Sequence, residues 1–516
     1  MTQRLTKLKE PFLNIPIHYF ALIVSFLNLI LFHFPIIKFV VGNVDSRSFN
    51  VAVILISLII LVFAANALVF YLLCYISRYF GKTILSLFFI LNAISLYFIN
   101  TYGVLIDESM MGNVFNTNYN ETYSFFSLNL IIYTVIFGLL PSIYIIMAKL
   151  RSVKFKQFII TFSATLLFSL IILAINIGNI AWIHRYSEPL GSLLLPWSYT
   201  VNTARYYVHK HQQNRKEIPL PDATITNSEK AIVVLVIGES ARRKNFSLYG
   251  YTKNTNPLLS TTDNLYIFEA NSAATYTRAG VKAILEYEKT SKMYEPLPNY
   301  LQRTGVDVVW RTNNTGEPST LNIEKYQNAD YLKQICTSED CGFDGMLLPG
   351  LKEQILESQK DKVFIVLHTS TSHGPDYFNK YPKHFEHFTP VCNRVELEKC
   401  SQEELYNAYD NTIVYTDYLI HSVIKELRKL DDYKSTMIFV SDHGESLGEN
   451  NLYMHGADMS FAPAEQYEIP FIVWVSDSNT KLKNIGTLSQ HHVFHSVLKF
   501  LSIDSPVYKE EMNIFE

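Results

Sequence analysis

The sequence predicts a multi-pass α-helical membrane domain of five spans, followed by an α/β domain built around a central, mostly parallel sheet. Three observations lead to this fold class. Long apolar runs fill the chain up to about residue 183, short runs rich in valine and isoleucine recur after about residue 230, and acidic residues and histidines stand where several short runs end. We therefore assign a transmembrane domain to residues 1–183, a connector to 184–229 and a globular domain to 230–516.

The apolar runs of the first part are long enough to cross a membrane. A transmembrane helix needs about 20 apolar residues to span the hydrocarbon core. The first run is too long for a signal peptide and no small-residue cleavage site follows it, so we expect it to remain as a span. The five expected spans cover roughly 16–40, 50–76, 83–102, 127–149 and 157–182.

Positive charges predict which side of the membrane each loop faces. Lysine and arginine cluster in the N-terminal tail, between spans two and three, and between spans four and five. The stretch 103–126 after span three carries Asp107, Glu108 and Glu121 and no lysine or arginine. Because positively charged loops stay in the cytoplasm, the N-terminus and the two basic loops are predicted to be cytoplasmic. An odd number of spans then places everything after about residue 183 outside the cytoplasm.

The connector over 184–229 mixes apolar, aromatic and basic residues and ends in the turn-forming stretch Pro219–Asp222. This composition is typical of one or two short helices that lie in the membrane interface. For the second half of the connector, an ordinary flexible linker is the alternative.

The overall charge excludes one class of function. The formal net charge is −3, and lysine and arginine cluster only in short stretches beside apolar segments. A nucleic-acid-binding protein needs a broad positive surface, so we expect no nucleic-acid partner.

Five cysteines bear on the compartment. Cys74 lies within an apolar run and is expected to be a buried, small hydrophobic residue. The other four form two close pairs in polar sequence, Cys336 with Cys341 and Cys392 with Cys400. Four cysteines allow three disulfide pairings, of which the pairing of neighbours is geometrically the simplest. Disulfides need an oxidising compartment, in agreement with an outer location, and reduced surface thiols are the alternative.

After residue 230 the apolar pattern becomes that of a sheet. Amphipathic stretches that predict helices, such as 349–359 and 403–430, lie between short apolar runs that are typical of buried strands in a parallel sheet. The alternation predicts a doubly wound α/β arrangement, whose active site lies beyond the carboxyl ends of the strands. The predicted strands are Ile232–Ile237, Val306–Trp310, Val363–Leu367, Met437–Val440 and Phe471–Val475.

Acidic residues and histidines follow three of these strands. Glu239 follows the first strand, Asp442 and His443 follow the fourth, and His368 and His373 follow the third. Two carboxylates and an imidazole form a ligand set that suits Zn²⁺ and leaves a position open for chemistry. The alternative is that the aspartate and histidine at a strand end serve only as hydrogen-bonding groups.

A short motif offers a competing nucleophile. Gly444–Gly448 fits the pattern G-x-S-x-G, the nucleophile elbow of α/β-hydrolases, with Ser446 at its centre. Such a site needs a histidine near the C-terminus, for which His492 and His495 are available. We do not favour it, because the motif is short and the two residues before it are better explained as metal ligands.

Several stretches resemble a known family. They are Val236–Arg242, Tyr249–Tyr251, Thr255–Pro257, Ser372–Pro375, Tyr409–Thr412, Ser441–Asn450 and His455–Gly456, with Thr101–Gly103 in the membrane part. Together with the five spans, they make nearly the whole chain similar to the phosphoethanolamine transferases of the sulfatase and alkaline-phosphatase superfamily. That group includes lipid A modifying enzymes and the mobile enzymes of colistin (polymyxin) resistance. The resemblance implies a sulfatase-like, catalytic, periplasmic domain over 230–516, held at the bacterial inner membrane by the spans.

The resemblance also implies the metal site and the nucleophile. The family uses a threonine at a helix start, in a short Thr-x-Thr stretch that is Thr275–Thr277 in this chain. Thr277 is the expected nucleophile and Thr275 the second choice. The residues expected to surround Zn²⁺ are Glu239, Thr277, Asp442 and His443.

Two further sets of residues are implied to bind substrate. In the globular domain they are Thr315, His373 and His455, of which the histidines are also candidates for proton transfer. In the membrane part they are Asn113, Thr117 and Glu121, in a loop associated with the lipid donor. If that loop is helical, spacings of four residues place an amide, a hydroxyl and a carboxylate on one face, where they can bind an ethanolamine headgroup. The alternative is an ordinary solvated helix face. The stretch from Cys392 to Cys400 resembles a disulfide loop of the family.

The sequence departs from the family at two places. Ala273 and Ala283 stand where the family has cysteines on either side of the Thr-x-Thr stretch. In the segment Arg311–Pro318, many relatives place a phosphate-contacting lysine near the end, whereas this chain has Glu317 and Pro318. The second departure concerns how the donor phosphate is held, and neither changes the expected metal ligands.

The activity that the resemblance implies is transfer of phosphoethanolamine from phosphatidylethanolamine to an envelope acceptor, a lipid A phosphate or a lipopolysaccharide core sugar. The expected intermediate is phosphoethanolamine linked to Thr277, with release of diacylglycerol. Five spans suit such an enzyme, because donor and acceptor are lipids or lipid-linked glycans of the membrane. Two alternatives remain, a phosphoglycerol transferase of the lipoteichoic acid synthase type and a catalytically silent membrane sensor.

Overall fold

The chain divides into two compact units. One comprises residues 1–115 and 126–207, and the other comprises residues 116–125 and 208–516. The domain limits predicted at 183 and 229 stay predictions. The computed structural model describes residues 14–43, 49–117, 122, 125–176, 179, 183, 186–213, 217–337 and 339–516.

Helices make up the membrane part. In chain order they are α1 Ile17–Phe32, α2 Phe34–Asn43, α3 Phe49–Ile76, α4 Arg78–Tyr102, α5 Glu108–Asn116, α6 Leu128–Met147, α7 Phe155–Ile175, α8 Ser187–Ser192 and α9 Trp197–Gln213. Four of them, α3, α4, α6 and α7, are long and apolar enough to cross a membrane, with mean hydropathies between 1.8 and 2.9. Only 6% of the apolar stretch of α7 is buried in the protein, as expected of a helix that faces lipid.

The first predicted span is broken. Helices α1 and α2 meet at a bend of 57°. Pro35 lies in the first turn of α2, where it has no N–H to donate to the carbonyl of Leu31 and its ring crowds that carbonyl. If the bent pair forms one span, the number of candidate spans is the predicted five.

Local sequence sets the limits of α4. The third predicted span, 83–102, begins at Arg78 because the Ser77 hydroxyl caps the helix and accepts the N–H of Phe80 at 3.3 Å. The helix ends where Gly103 adopts the left-handed conformation, with φ 72°. Helices α8 and α9 lie within the predicted connector, for which the sequence predicts one or two helices.

The second unit is organised around an eight-stranded sheet. Across the sheet the order is β8-β2-β7-β6-β1-β5-β3-β4, and β7 alone runs antiparallel to its neighbours. The predicted fold class, an α/β domain with a mostly parallel sheet, is therefore confirmed. In chain order the strands are β1 Ala231–Gly238, β2 Leu265–Asn271, β3 Asp307–Thr312, β4 Lys325–Gln327, β5 Lys362–His368, β6 Lys434–Ser441, β7 Glu468–Val475 and β8 Leu488–Ser489.

Helices follow the strands of this sheet. They are α10 Thr277–Leu285, α11 Leu297–Thr304, α12 Ala329–Ile335, α13 Leu351–Leu356, α14 Gln402–Leu427 and α15 His492–Phe500. The predicted helical stretches 349–359 and 403–430 correspond to α13 and α14. A capping box starts α14, in which Ser401 and Glu404 each accept the backbone N–H of the other.

All five predicted strands are present, but the sequence did not predict β2, β4 and β8. In β2 the side chains alternate, with Phe268 and Ala270 buried and Glu269 and Asn271 exposed, so the strand lacks a continuous apolar run. Strands β4 and β8 have only three and two residues. The reversed direction of β7 leaves no mark in its composition, which is as apolar as that of a parallel strand.

The register of the central strands positions the polar residues. Strand β1 pairs in parallel with β5 and β6, with Ile237 opposite His368 and Gly238 opposite Ser441. Carboxyl ends of parallel strands lie at one edge of a sheet, where ligands bind. The residues that follow, Glu239 and Asp442, therefore leave the sheet side by side.

Two disulfides lie in the second unit. Cys336 is bonded to Cys341 and Cys392 to Cys400, with Cα–Cα distances of 5.6 and 5.7 Å. Neighbouring cysteines are thus paired, and Cys74 is free and buried. The fifth cysteine behaves as the small hydrophobic residue that its apolar surroundings predict.

We predict that truncation of a core side chain in β1 destabilises the second unit. Leu235 is fully buried, so Leu235→Ala leaves a cavity and should lower the free energy of unfolding by about 2–5 kcal/mol. The matched control is Leu356→Ala, because Leu356 is 55% exposed and its truncation should cost less than about 0.5 kcal/mol. Chemical denaturation of the purified full chain measures both. Equal losses in the two variants would contradict a core centred on β1.

Candidate active site

Four predicted side chains meet at the carboxyl edge of the sheet. The Thr277 hydroxyl lies 3.3 Å from Glu239 Oε2 and 3.3 Å from His443 Nε2. His443 Nε2 lies 3.4 Å from Glu239 Oε1 and 3.4 Å from Asp442 Oδ2. The two carboxylates and the imidazole are buried. The structure thus brings together the residues that the sequence predicts around the metal.

Close packing of backbone and side chains fixes Thr277 against Asp442. Thr277 is the first residue of α10, and Gly280 in the same turn packs on the backbone of Asp442. A Cβ at Gly280 would lie 2.1 Å from the Asp442 carbonyl oxygen, so only glycine permits this approach. Gln490 links Asp442 to the segment that precedes Thr277. Its side-chain amide donates to the Asp442 carbonyl at 2.6 Å, and its side-chain oxygen accepts the N–H of Ala273 at 2.9 Å.

Both oxygens of Glu239 are oriented by hydrogen bonds. The Ser240 hydroxyl donates to Oε1 at 2.7 Å, and the Asn314 amide donates to Oε2 at 2.7 Å. Sequence analysis did not single out Ser240 or Asn314. Both follow the carboxyl end of a strand, β1 and β3 respectively, and that position is the signal that could have identified them.

The remaining donor atoms suit a cation. His443 Nδ1 donates to the carbonyl of Gly444 at 2.8 Å, so Nε2 carries the lone pair that faces the carboxylates. Asp442 Oδ1 accepts the N–H groups of Ser240 and His443, whereas the buried Oδ2 accepts no hydrogen bond from the described residues. A buried acceptor without a donor is costly. Oxygen and nitrogen lone pairs that converge in this way fit a divalent metal ion.

The electrostatics of the cluster also favour a cation. Burial raises the pKa of Glu239, but His443, His373 and His455 lower it more, and the pKa lies well below its usual range. Burial and the charge of Glu239 raise the pKa of Asp442 well above its usual range. Burial and the charge of His455 lower the pKa of His443 to about 3. The two carboxylates repel each other, and a divalent cation would stabilise both charges.

His373 and His455 lie beside the cluster. The ring centroid of His455 is 4.3 Å from that of His443 and 5.3 Å from that of His373. His455 Nδ1 lies 2.7 Å from Glu445 Oε2, and the other Glu445 oxygen accepts the Tyr377 hydroxyl at 2.5 Å. A carboxylate at Nδ1 fixes the ring and its tautomer and leaves Nε2 for a ligand or a proton. Sequence analysis assigned no role to Glu445 or Tyr377, and Tyr377 carries no signal in the sequence.

Two rival nucleophiles are engaged elsewhere. Thr275 is buried, and its hydroxyl donates to the carbonyl of Ala457 at 2.5 Å. Ser446 is buried, and its hydroxyl accepts a side-chain amide at 2.9 Å. His492 and His495, which a hydrolase site would need, are hydrogen-bonded to residues outside the cluster. The geometry therefore favours Thr277 over both rivals.

The segment after β3 borders Thr277. Gly316 has a φ of 108° and lies against Thr277, where a Cβ would be 3.0 Å from the Thr277 methyl carbon. Thr315, next to it, is exposed. Glu317 Oε1 lies 3.6 Å from Nδ1 of the buried His368. Burial raises the pKa of Glu317, but the contact with His368 lowers it more, so Glu317 is held as a carboxylate.

The predicted donor loop is described in part. Asn113 lies on α5, which ends at Asn116, so Thr117 follows the helix. Glu121 lies outside the described residues. The donor-binding role of Asn113, Thr117 and Glu121 stays a prediction.

Comparison with known proteins identifies the family of this chain. Residues 231–503 match the sulfatase family, and residues 61–211 match the family described as phosphoethanolamine transferase EptA/EptB. Phosphoethanolamine transferase EptA of Helicobacter pylori is 37% identical to this chain, over 96% of each sequence. The chain belongs to the phosphoethanolamine transferase family. Within that family, EptA of Escherichia coli K12 is 30% identical, over 99% of this chain and 98% of its own length.

A solved structure extends the likeness to the fold. The integral membrane protein lipooligosaccharide phosphoethanolamine transferase A (EptA) from Neisseria meningitidis matches with a TM-score of 0.88 and 25% identity. The match covers 97% of this chain and 99% of that one. The resemblance found in the sequence motifs is therefore confirmed for both the helical and the sulfatase-like part.

We predict that Gly280→Ala disrupts the site, because the added Cβ would collide with the Asp442 carbonyl oxygen. Catalytic turnover should fall about a hundredfold, the usual cost of displacing a reacting group by about 1 Å. Gly486→Ala is the control, since nothing lies within 4 Å of a Cβ at that position. Turnover is measured in both variants, with circular dichroism to verify folding. A wild-type rate in Gly280→Ala would show that this contact does not position Thr277.

Proposed function

We propose that the chain transfers phosphoethanolamine from phosphatidylethanolamine to an envelope acceptor, a lipid A phosphate or a lipopolysaccharide core sugar. Family membership supports this, and one observation carries it: the Thr277 hydroxyl stands 3.3 Å from both Glu239 and His443. A relative in Escherichia coli K12 is named Kdo(2)-lipid A phosphoethanolamine 7''-transferase and is 30% identical over 49% of this chain and 45% of its own length. Its name supports an acceptor of the lipid A type.

The reaction takes place on the outer side of the bacterial inner membrane. Four apolar helices, or five with the bent pair, anchor the chain, and the basic loops predict a cytoplasmic N-terminus. The two disulfides of the second unit agree with an oxidising periplasm. Donor and acceptor are both carried by membrane lipids, which explains why the catalytic domain is tethered there.

The metal of this site is proposed to be Zn²⁺, which Glu239, Asp442 and His443 would hold together with the Thr277 oxygen. A neutral imidazole beside two carboxylates is a ligand set that Zn²⁺ favours, whereas Mg²⁺ prefers oxygen ligands and several waters. When bound, Zn²⁺ supplies Lewis-acid chemistry, because it favours the ionised form of an oxygen donor and offsets negative charge on a phosphate. Threonine benefits from such activation because its hydroxyl is a weak nucleophile at neutral pH.

In the first step, Thr277 Oγ1 attacks the phosphorus of phosphatidylethanolamine. The bond between Oγ1 and phosphorus forms as the bond to the diacylglycerol oxygen breaks. The products are phosphoethanolamine–threonine and diacylglycerol, and the hydroxyl proton of Thr277 ends on the leaving oxygen. His455 carries that proton on Nε2, while its Nδ1 is held by Glu445 at 2.7 Å.

In the second step, a phosphate or hydroxyl oxygen of the acceptor attacks the same phosphorus, and Thr277 leaves. His455 accepts the proton of the attacking hydroxyl, or of the P–OH group when the acceptor is a phosphate monoanion, and returns one to Thr277, the reverse of the first step. His373, whose ring centroid lies 5.3 Å from that of His455, and Thr315 bind phosphate oxygens in both steps.

Donor recognition belongs to the loop that follows the third span. The carboxylate of Glu121 pairs with the ammonium group of ethanolamine, and Asn113 and Thr117 hydrogen-bond to the headgroup. Support for these roles comes from the family resemblance and from the acidic, lysine- and arginine-free stretch 103–126.

We predict that Thr277→Ala abolishes transfer, because the variant has no hydroxyl to form the covalent intermediate. Wild-type protein incubated with phosphatidylethanolamine should gain one phosphoethanolamine on the peptide that contains Thr277, as measured by mass spectrometry. Thr277→Ser keeps a hydroxyl and should keep measurable activity. A Thr277→Ala variant that retains a tenth of the wild-type rate would rule out Thr277 as the nucleophile.

The same assay with phosphatidylglycerol tests the alternatives to the proposed donor. Labelling by phosphatidylglycerol and not by phosphatidylethanolamine would make the chain a phosphoglycerol transferase. Labelling by neither lipid, in protein that contains its metal, would favour a catalytically silent sensor.

A further prediction concerns the metal. Glu239→Gln and Asp442→Asn should each weaken zinc binding, since a neutral amide is a poor ligand for Zn²⁺. Loss of a hydrogen bond that supports a ligand costs up to about a hundredfold in affinity, so loss of the ligand itself should cost more than that. Asp458→Asn is the control, because that carboxylate accepts the N–H of Ser460, outside the cluster. Zinc content after dialysis is measured by elemental mass spectrometry. Full zinc content in both ligand variants would move the metal elsewhere.

A further inference from the structure

The proposed reaction brings phosphate anions to a site that is rich in carboxylates. The side chains of the cluster, together with Asn314, which bonds to Glu239, lie on four segments, and these segments contain four lysines and arginines. The segments are 239–245, 272–280, 313–317 and 442–456, and the cations are Arg242, Arg243, Lys244 and Arg278. Any of these cations that is free to contact the phosphate would offset its charge.

Three of these cations already have carboxylate partners. Arg242 is fully buried beneath the site, and the other two lie next to it in sequence. The pairs are Arg242 with Glu449 at 2.8 Å, Arg243 with Glu468 at 2.8 Å, and Lys244 with Glu465 at 2.6 Å. None of them can bind substrate without breaking an ion pair.

Arg278 differs from the other three. It directly follows Thr277 in the first turn of α10, its side chain is exposed, and its guanidinium forms no ion pair or hydrogen bond with the described part of the chain. Lys282, one turn later, is paired with Glu286 at 3.3 Å. On the other side, a Cβ at Gly316 would lie 3.7 Å from the backbone nitrogen of Arg278, so the segment after β3 adjoins the backbone of Arg278.

We propose that Arg278 binds the phosphate group that is being transferred and pairs its guanidinium with the non-bridging oxygens. This inference rests on the proposed function and assigns that site a further substrate-binding residue. A guanidinium presents its N–H donors in a planar fork that matches two phosphate oxygens. Because Arg278 adjoins Thr277, its charge stays near the phosphorus in both steps. It supplies the positive charge that Glu317 and Pro318 do not supply at the end of the neighbouring segment.

The test measures the donor step in the purified, metal-loaded full chain, with phosphatidylethanolamine in detergent micelles. Arg278→Gln should lower kcat/KM for formation of phosphoethanolamine–threonine about tenfold to a hundredfold, the effect of losing a hydrogen bond to a charged group. Arg278→Lys keeps the charge and should recover part of the loss. Lys282→Gln is the matched control, since it removes an already paired cation from the same helix, and it should change kcat/KM by less than about threefold.

A binding measurement separates substrate binding from a structural role. Free phosphoethanolamine is titrated calorimetrically into two inactive proteins, the single variant Thr277→Ala and the double variant that also carries Arg278→Gln. The second substitution should weaken binding about tenfold or more and leave the metal content and the melting temperature of the single variant unchanged. A purely structural role would lower the melting temperature instead.

The outcomes distinguish this inference from the proposed function. If the wild-type chain forms no phosphoethanolamine–threonine, the proposed function fails and the role of Arg278 fails with it. If the wild type is active and Arg278→Gln matches it in kcat/KM and in affinity, only the role of Arg278 is overturned. A loss confined to the acceptor step would also overturn it, because Arg278 would then contact the acceptor phosphate and not the transferred one.

Discussion

Two buried carboxylates, Glu239 and Asp442, impose the constraint on which the rest of the catalytic unit depends. The parallel register of β1 and β6 brings them to adjacent strand ends, where each disfavours the charge of the other and the pKa of Asp442 is raised well above its usual range. Burial of like charges is costly unless donors or a cation compensate. Ser240 and Asn314 supply donors to Glu239, yet Asp442 Oδ2 has no donor among the described residues. Metal binding at this edge is therefore coupled to the stability of the strand ends.

The same constraint determines how Thr277 is held. The position of Thr277 is set by the packing of Gly280 against the Asp442 backbone and by the amide of Gln490, which bonds to the carbonyl of the same aspartate. The hydroxyl itself makes only contacts of 3.3 Å with Glu239 and His443, longer than a strong hydrogen bond. A side chain that is positioned by its backbone and weakly bonded at its oxygen keeps that oxygen available for attack. Thr277 is thus positioned by packing and by the hydrogen bonds of Gln490, and not by strong hydrogen bonds of its own hydroxyl.

Sequence reasoning found the parts of this site that local pattern encodes. The central strands are continuous apolar runs, and Glu239, Asp442 and His443 directly follow such runs, so their meeting could be predicted from the topology of a parallel sheet. Thr277 was identified only through the family resemblance. It comes after β2, and β2 was not predicted because its buried and exposed side chains alternate. Tyr377 and Gln490 could not be predicted, since neither follows a predicted strand and tertiary packing brings them to the site. Pro35 could have predicted the break between α1 and α2, but the long apolar run was interpreted as one continuous span.

Opposite charges also offset one another around Thr277. A lysine near the end of the segment Arg311–Pro318 would bring a positive charge toward the phosphate, but this chain has Glu317 there. A carboxylate facing the phosphate would repel it. Glu317 instead contacts buried His368, which lowers its pKa and holds its carboxylate against the end of β5. With that charge engaged, Arg278 is the exposed cation that directly follows Thr277, and it forms no ion pair with the described residues. Pairing of Glu317 with His368 keeps its negative charge from the phosphate, and Arg278 supplies the positive charge that the missing lysine would have brought.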